Sequence, residues 1–198
     1  GGFIEGLTNM ARPAVLSGTK EDLEKLVSRE LELRMLHDSI TDYARKLYSM
    51  EMTDSETKRL EALGTIVSNL QHIGETISVN MVSIGKERID RGFKISEETL
   101  NKFMPYSSKV RESFDLSLKA VDKDDSDLAW KVVDMKSEVD RLADSMIEHL
   151  GERLLSDDPD RAVLYRVESQ FVELIGRIYY FASMISKEII EDSKEAAS

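Results

Sequence analysis

The sequence predicts an all-α protein: an elongated six-helix bundle built from two repeated three-helix units. Three observations carry that expectation. Apolar residues recur at steps of 3 and 4 along most of the chain, turn chemistry interrupts that rhythm at regular intervals, and one half of the sequence aligns with the other. The composition agrees, with 41% hydrophobic and 33% charged residues but only three prolines and ten glycines among 198 residues. That is the profile of a helix-rich chain rather than a β-sheet or disordered one.

The first helix is placed near 3–17. Ser17-Gly18-Thr19 ends it, and Glu21-Asp22 puts acids in the first turn of the next, where they suit the positive end of a helix dipole. The second helix, near 20–50, carries the seam Leu33, Leu36, Ile40, Tyr43, Leu47 and Met50. Thr53-Asp54-Ser55-Glu56 supplies an N-cap and capping box for the third helix, near 54–91. Its seam runs Ile66, Leu70, Ile73, Ile77 and Ile84, with Asn80 filling one position and fixing register there. At 1.5 Å per residue this helix is about 55 Å long. Lys86, Arg88 and Arg91 before Gly92 form a helix stop. These cations, with Lys94, complement the helix C-terminus; contact with anionic lipid headgroups is the second reading.

Ser96 followed by Glu97-Glu98 opens the fourth helix, near 97–121. A polar turn from 122 to 127 precedes the fifth, near 126–155. A second turn from 156 to 160, containing Pro159, precedes the sixth, near 160–192. The last helix carries Leu164, Val167, Phe171, Leu174, Ile178, Phe181 and Ile185. Trp130, Phe114 and the run Tyr179-Tyr180-Phe181 read as core or inter-helix packing, with Tyr179 and Tyr180 on different faces.

The halves repeat. Glu32-Leu33-Arg34-Met35-Leu36-His37-Asp38-Ser39-Ile40 aligns with Glu138-Val139-Asp140-Arg141-Leu142-Ala143-Asp144-Ser145-Met146. Leu70-Gln71-His72-Ile73-Gly74 aligns with Val172-Glu173-Leu174-Ile175-Gly176. Two blocks in the same order at nearly equal offsets point to a duplication. We read one domain over 1–198, with repeat one at about 3–92 and repeat two at about 96–192. Gly74 and Gly176 sit mid-helix, where glycine costs about 1 kcal/mol relative to alanine and serves close helix approach. The opening Gly1-Gly2 reads as a tag remnant, and the first helix as a turn or two short of its repeat partner, so a longer native chain is expected.

Charge narrows the partners. The net charge of −11 disfavours a nucleic-acid backbone, and the absence of cysteine excludes disulfides and thiolate metal sites. No apolar run reaches the roughly 20 residues of a membrane span. There is no Gly-rich phosphate loop, no His-Glu-x-x-His and no Gly-x-Ser-x-Gly, and no histidine has glutamate three positions before it. No catalytic residue is expected.

The stretch Asn69-Leu70-Gln71-His72-Ile73-Gly74-Glu75 resembles the Asp-Leu-Glu-Arg-Ile-Gly-Asp signature of PhoU, the bacterial phosphate-uptake regulators. Val172-Glu173-Leu174-Ile175-Gly176 is a weaker copy, and Glu138-Val139-Asp140-Arg141-Leu142 resembles the family's preceding helix. The resemblance implies a non-catalytic regulatory domain without a required cofactor. Such domains also form the cytoplasmic C-terminal part of bacterial sodium/phosphate cotransporters. This context is the leading expectation: a domain at the inner face of the plasma membrane, its transporter upstream in the same chain or separate. A free-standing regulator of a phosphate ABC transporter and its sensor kinase is the alternative; a metal-dependent bundle enzyme is a distant third. Homo-oligomerisation and direct phosphate binding are left open.

In the family, two acids four residues apart in the signature contribute to metal binding. Here the first pair reads Gln71 and Glu75, the second Glu173 and Arg177, so each has lost one carboxylate. A multinuclear iron or zinc cluster is therefore not expected. A retained divalent or iron-type metal would use Glu75, Glu173 and the repeat-related Asp38 and Asp144. His72 occupies the family's arginine position, which leaves phosphotransfer on it a remote reading.

Overall fold

The computed structural model describes residues 2–154 and 159–196. Eight α-helices and one π-helical stretch follow in order: α1 Gly2–Leu16, α2 Lys20–Leu47, α3 Asp54–Glu75, the π stretch Thr76–Met81, α4 Val82–Asp90, α5 Glu97–Lys123, α6 Ser126–Asp134, α7 Lys136–Leu154 and α8 Arg161–Ala196. Because α3, the π stretch and α4 run on without interruption, as α6 and α7 nearly do, they amount to six rods in the expected order.

The turn chemistry behaves as the sequence requires. Thr19 and Thr53 cap α2 and α3, and each closes a reciprocal capping box, with Asp22 and Glu56 respectively. Ser96 caps α5 through the Thr99 amide at 3.2 Å, and Asp125 caps α6 through the Leu128 amide at 3.0 Å. Gly92 stops α4 with φ +69°. At the end of α5, Asp124 takes the left-handed conformation, φ 53°. Most of the turn expected at 156–160 lies outside the described residues.

Both halves contribute to one continuous core, from Leu23, Leu26 and Ile73 in the first to Phe103, Phe114, Phe171 and Ile185 in the second. The halves meet mainly along α3 and α8, which run antiparallel: His72 stacks on Phe181 near one end, and Glu87 pairs with Arg166 near the other. Gly74 and Gly176 do permit close approach. A Cβ on Gly74 would lie 2.5 Å from Leu33 Cδ2, and one on Gly176 would lie 3.1 Å from the Tyr106 hydroxyl.

Four expectations need correction. Asn80 is exposed and off the seam, because the π stretch inserts an extra residue and turns Met81 inward between Ile77 and Ile84. The rod expected over 126–155 breaks at Met135. The carbonyls of Val132 and Val133, which accept from the Met135 amide, are also met by the Tyr179 hydroxyl of α8, at 3.0 and 3.3 Å. Trp130 is exposed rather than packed inside, with Lys194 over its ring at 5.5 Å. Finally, the α2 seam is buried only as far as Leu33. Leu36, Ile40, Tyr43 and Met50 are exposed, because α1 does not reach that part of α2.

Arg88 also departs from the expectation that it complements the C-terminus of its own helix. It is buried and donates to the carbonyls of Val15, at 2.8 Å, and Gly18, at 2.5 Å. The cation thus serves a helix C-terminus, but that of α1 rather than its own. Of its companions, Arg91 pairs with Glu87 at 3.0 Å, while Lys86 and Lys94 are exposed.

Candidate functional site

The signature residues 69–75 form the last two turns of α3, where α2 crosses most closely. That crossing is set by Gly74, whose missing side chain admits Leu33 and Glu30. One turn further along α2, Arg34 donates to Glu30 Oε1 from Nε at 3.2 Å and from Nη2 at 2.9 Å. Glu30 is buried, so this pair is shielded on one side. The Glu30 hydrogen bond and charge hold Arg34 above the ordinary guanidinium range, and the charges of Glu75 and Asp38 act in the same direction.

Glu75 accepts a hydrogen bond from Gln71 Nε2 at 3.2 Å and lies 3.8 Å from His72 Nδ1. Gln71 therefore acts as a donor where a second carboxylate would act as a metal ligand. The guanidinium supplies positive charge beside Glu30, Asp38 and Glu75 without a metal. Asp38 itself is exposed, 3.3 Å from His37 Nδ1.

In repeat two, Glu173 is exposed and lines an open polar cleft of about 350 Å³ with Asn80, Ser83, Glu87, Arg166 and Gln170. The Glu87–Arg166 ion pair spans α4 and α8 at this cleft, and the π stretch presents Asn80 to it. Asp144 is exposed on α7. Glu75 and Asp38 thus share the neighbourhood of Arg34, whereas Glu173 and Asp144 lie in the other repeat. Among the described residues, no three of His, Asp and Glu converge as a metal-binding group.

Two polar nodes escaped the sequence reading. Arg161 and Glu168 form an ion pair at 2.7 Å with both side chains buried. Burial pushes Glu168 above the usual carboxylate range, against the pull of Arg161 and Arg153. Their spacing was the available clue: seven residues is two helical turns, and Leu164 between them marks the inward face. The second node joins α5 to α7. Thr99 meets His149 Nε2 at 3.2 Å, and Arg153 donates to the hydroxyls of Ser96 and Thr99. Burial holds the His149 imidazole below its usual range.

Comparison with known proteins bears on this architecture directly. Residues 103–178, which contain α6, α7 and the whole signature-like segment of α8 through Gly176, match the PhoU domain family model. Over these residues the chain is similar to a PhoU domain. The crystal structure of PhoU from Pseudomonas aeruginosa superposes with a TM-score of 0.87 at 18% identity. The match covers 98% of this chain and 91% of that one, so the PhoU fold extends through both repeats. No curated protein matches the sequence. Set against the PhoU fold, the signature position of repeat one is the ring of groups around Arg34, and that of repeat two borders the polar cleft.

Proposed function

We propose that the chain is a non-catalytic regulator of phosphate uptake that acts through contacts of its helix faces with the uptake machinery. The observation that carries this reading is the end-to-end likeness to a PhoU structure, joined to the PhoU domain match in repeat two. The residues support a contact role over a chemical one. At the signature of repeat one, a glutamine and an arginine stand beside the carboxylates, so the charge is balanced within the protein.

The likeness along 91% of a PhoU chain fits a free-standing PhoU-type regulator. A cytoplasmic domain attached to a sodium-dependent phosphate transporter is the second reading, and the same helix faces would serve it. Among the described residues, no helix is long and apolar enough to cross a membrane.

The test is phosphate uptake in source cells from which the coding segment has been removed. In phosphate-rich medium, uptake is expected to stay high in the deleted strain and to fall again when the chain is restored. Equal uptake in both strains would count against a regulatory role.

A further inference from the structure

A small cavity of about 30 Å³ lies where the two repeats meet, bounded by α1, the π stretch, α5 and α8. Its floor is apolar and buried, made by Ala11, Met81, Val110, Phe171, Ile175 and Ile178. Ala11 presents only a methyl group to this space. The lining residues that reach solvent are polar, which puts the mouth between α1 and α5. Arg12, half-buried, stands on the α1 side, and Arg111, exposed, stands on the α5 side.

These two arginines lack the acidic partners found elsewhere in the chain. Arg34, Arg45, Arg91, Arg161 and Arg166 each pair with a carboxylate. Among the described residues, Arg12 has neither an ion pair nor a hydrogen bond. Thr8, Asn9, Val15 and Leu16, one turn to either side of it, carry no charge. Arg111 donates from Nη1 to the neutral Asn9 Oδ1 at 3.0 Å. Its guanidinium keeps further N–H groups for a second acceptor. Two cations thus face an apolar cavity without an anion between them.

We infer that the cavity is a site for a short-chain monocarboxylate, with its carboxylate between Arg12 and Arg111 and its alkyl tail in the apolar floor. Guanidinium groups match carboxylate geometry and bind it through charge-assisted hydrogen bonds. Apolar walls with a few placed polar groups are the usual make of a small-ligand site. Size sets the tail. One water needs about 10–15 Å³ of such space, so the floor takes about three carbons and excludes a nucleotide or a long acyl chain. Each methylene buried adds about fourfold in affinity until the cavity is full. The site is separate from both signature segments, and the inference does not depend on the regulatory role proposed above.

The experiment titrates butyrate into the chain while the methyl signals of Met81, Ile175 and Ile178 are followed by NMR. Saturable shifts are expected at these methyls, with a dissociation constant of about 1 mM, which a ligand of about six non-hydrogen atoms allows. Acetate, two methylenes shorter, should bind about 15-fold more weakly. Octanoate should do no better than acetate, because its tail overfills the floor. Arg12→Gln and Arg111→Gln should each weaken butyrate about tenfold, as expected for loss of one charge-assisted contact. The chain-length series needs no variant, so it tests the site even where a substitution disturbs the fold. Absence of saturable shifts at about fiftyfold above that constant would overturn the proposal. So would equal affinity across the three acids, or butyrate binding that both substitutions leave unchanged. Inorganic phosphate binding as tightly as butyrate would reduce the site to a pair of surface cations, and would overturn it too.

Discussion

Gly85 on α4 lies directly over Leu23 on α2, and a Cβ at that glycine would sit 2.8 and 3.0 Å from the two Leu23 methyl carbons. The Val15 Cα would be only 3.4 Å away. Leu23 is fully buried, so neither methyl has free space to move into. Three rods of repeat one converge here, and the absence of a side chain is what lets them.

Two glycine substitutions should therefore have opposite signs. Gly85→Ala gains about 1 kcal/mol of helix propensity but overpacks the core at a cost of about 1–3 kcal/mol, for a net loss. Gly64 is also inside a helix, yet a Cβ there would meet nothing within 4 Å. Gly64→Ala should stabilise by about 0.4–1 kcal/mol. Urea denaturation of both variants checks the pair; equal signs would show that packing at Gly85 is looser than described.

Replacing Arg88 by Met should detach α1. The substitution leaves the buried carbonyl of Val15 and the part-buried carbonyl of Gly18 without their donor, a loss of about 2–3 kcal/mol. Limited proteolysis should then cut first near 17–19, before the second repeat opens.

Arg161→Leu strands Glu168 in the core and should cost about 3–5 kcal/mol. Burial already raises the Glu168 pKa, and loss of the cation raises it further. A carboxyl with a raised folded-state pKa favours folding below its unfolded value and loses that contribution as pH climbs through the folded one. The variant should thus be closest to wild type in acid and fall behind as pH rises, as read from thermal midpoints across pH.

His149 predicts the opposite slope. Its folded-state pKa lies below the ordinary imidazole value of 6.5, so the unfolded chain takes up the proton first as pH drops. Its contribution is present above pH 6.5 and is lost as pH falls through the folded value. His149→Gln should flatten that part of the acid limb while keeping a hydrogen-bonding group toward Thr99.

Much of this fold was legible because helices are periodic and their caps are local. Thr19, Thr53 and Ser96 each announce a helix within four residues, and the seams of α3 and α8 follow from steps of 3 and 4. The π stretch was not legible: from Ile77 onward both Asn80 and Met81 satisfy a helical step, and only packing decides which turns inward. The break at Met135 has no glycine or proline to mark it, and the Tyr179 hydroxyl that meets the carbonyls there lies some 45 residues away in sequence. Exposure of Ile40 and Tyr43 was hidden because an apolar stripe reports a face that can be covered, not what covers it. At the signature, loss of carboxylates could be read directly. Arg34 could not, since its place beside Glu75 comes from the crossing of two helices.

The proposed regulation requires contact between this chain and the phosphate-uptake machinery, and binding to membranes tests that contact most directly. Purified chain would be titrated onto membrane vesicles from the source cells and from a strain lacking the phosphate transporter, with bound protein measured by sedimentation. Saturable binding to the first and loss of it in the second is the expected result. Equal binding to both, or binding to neither, would contradict regulation by direct contact.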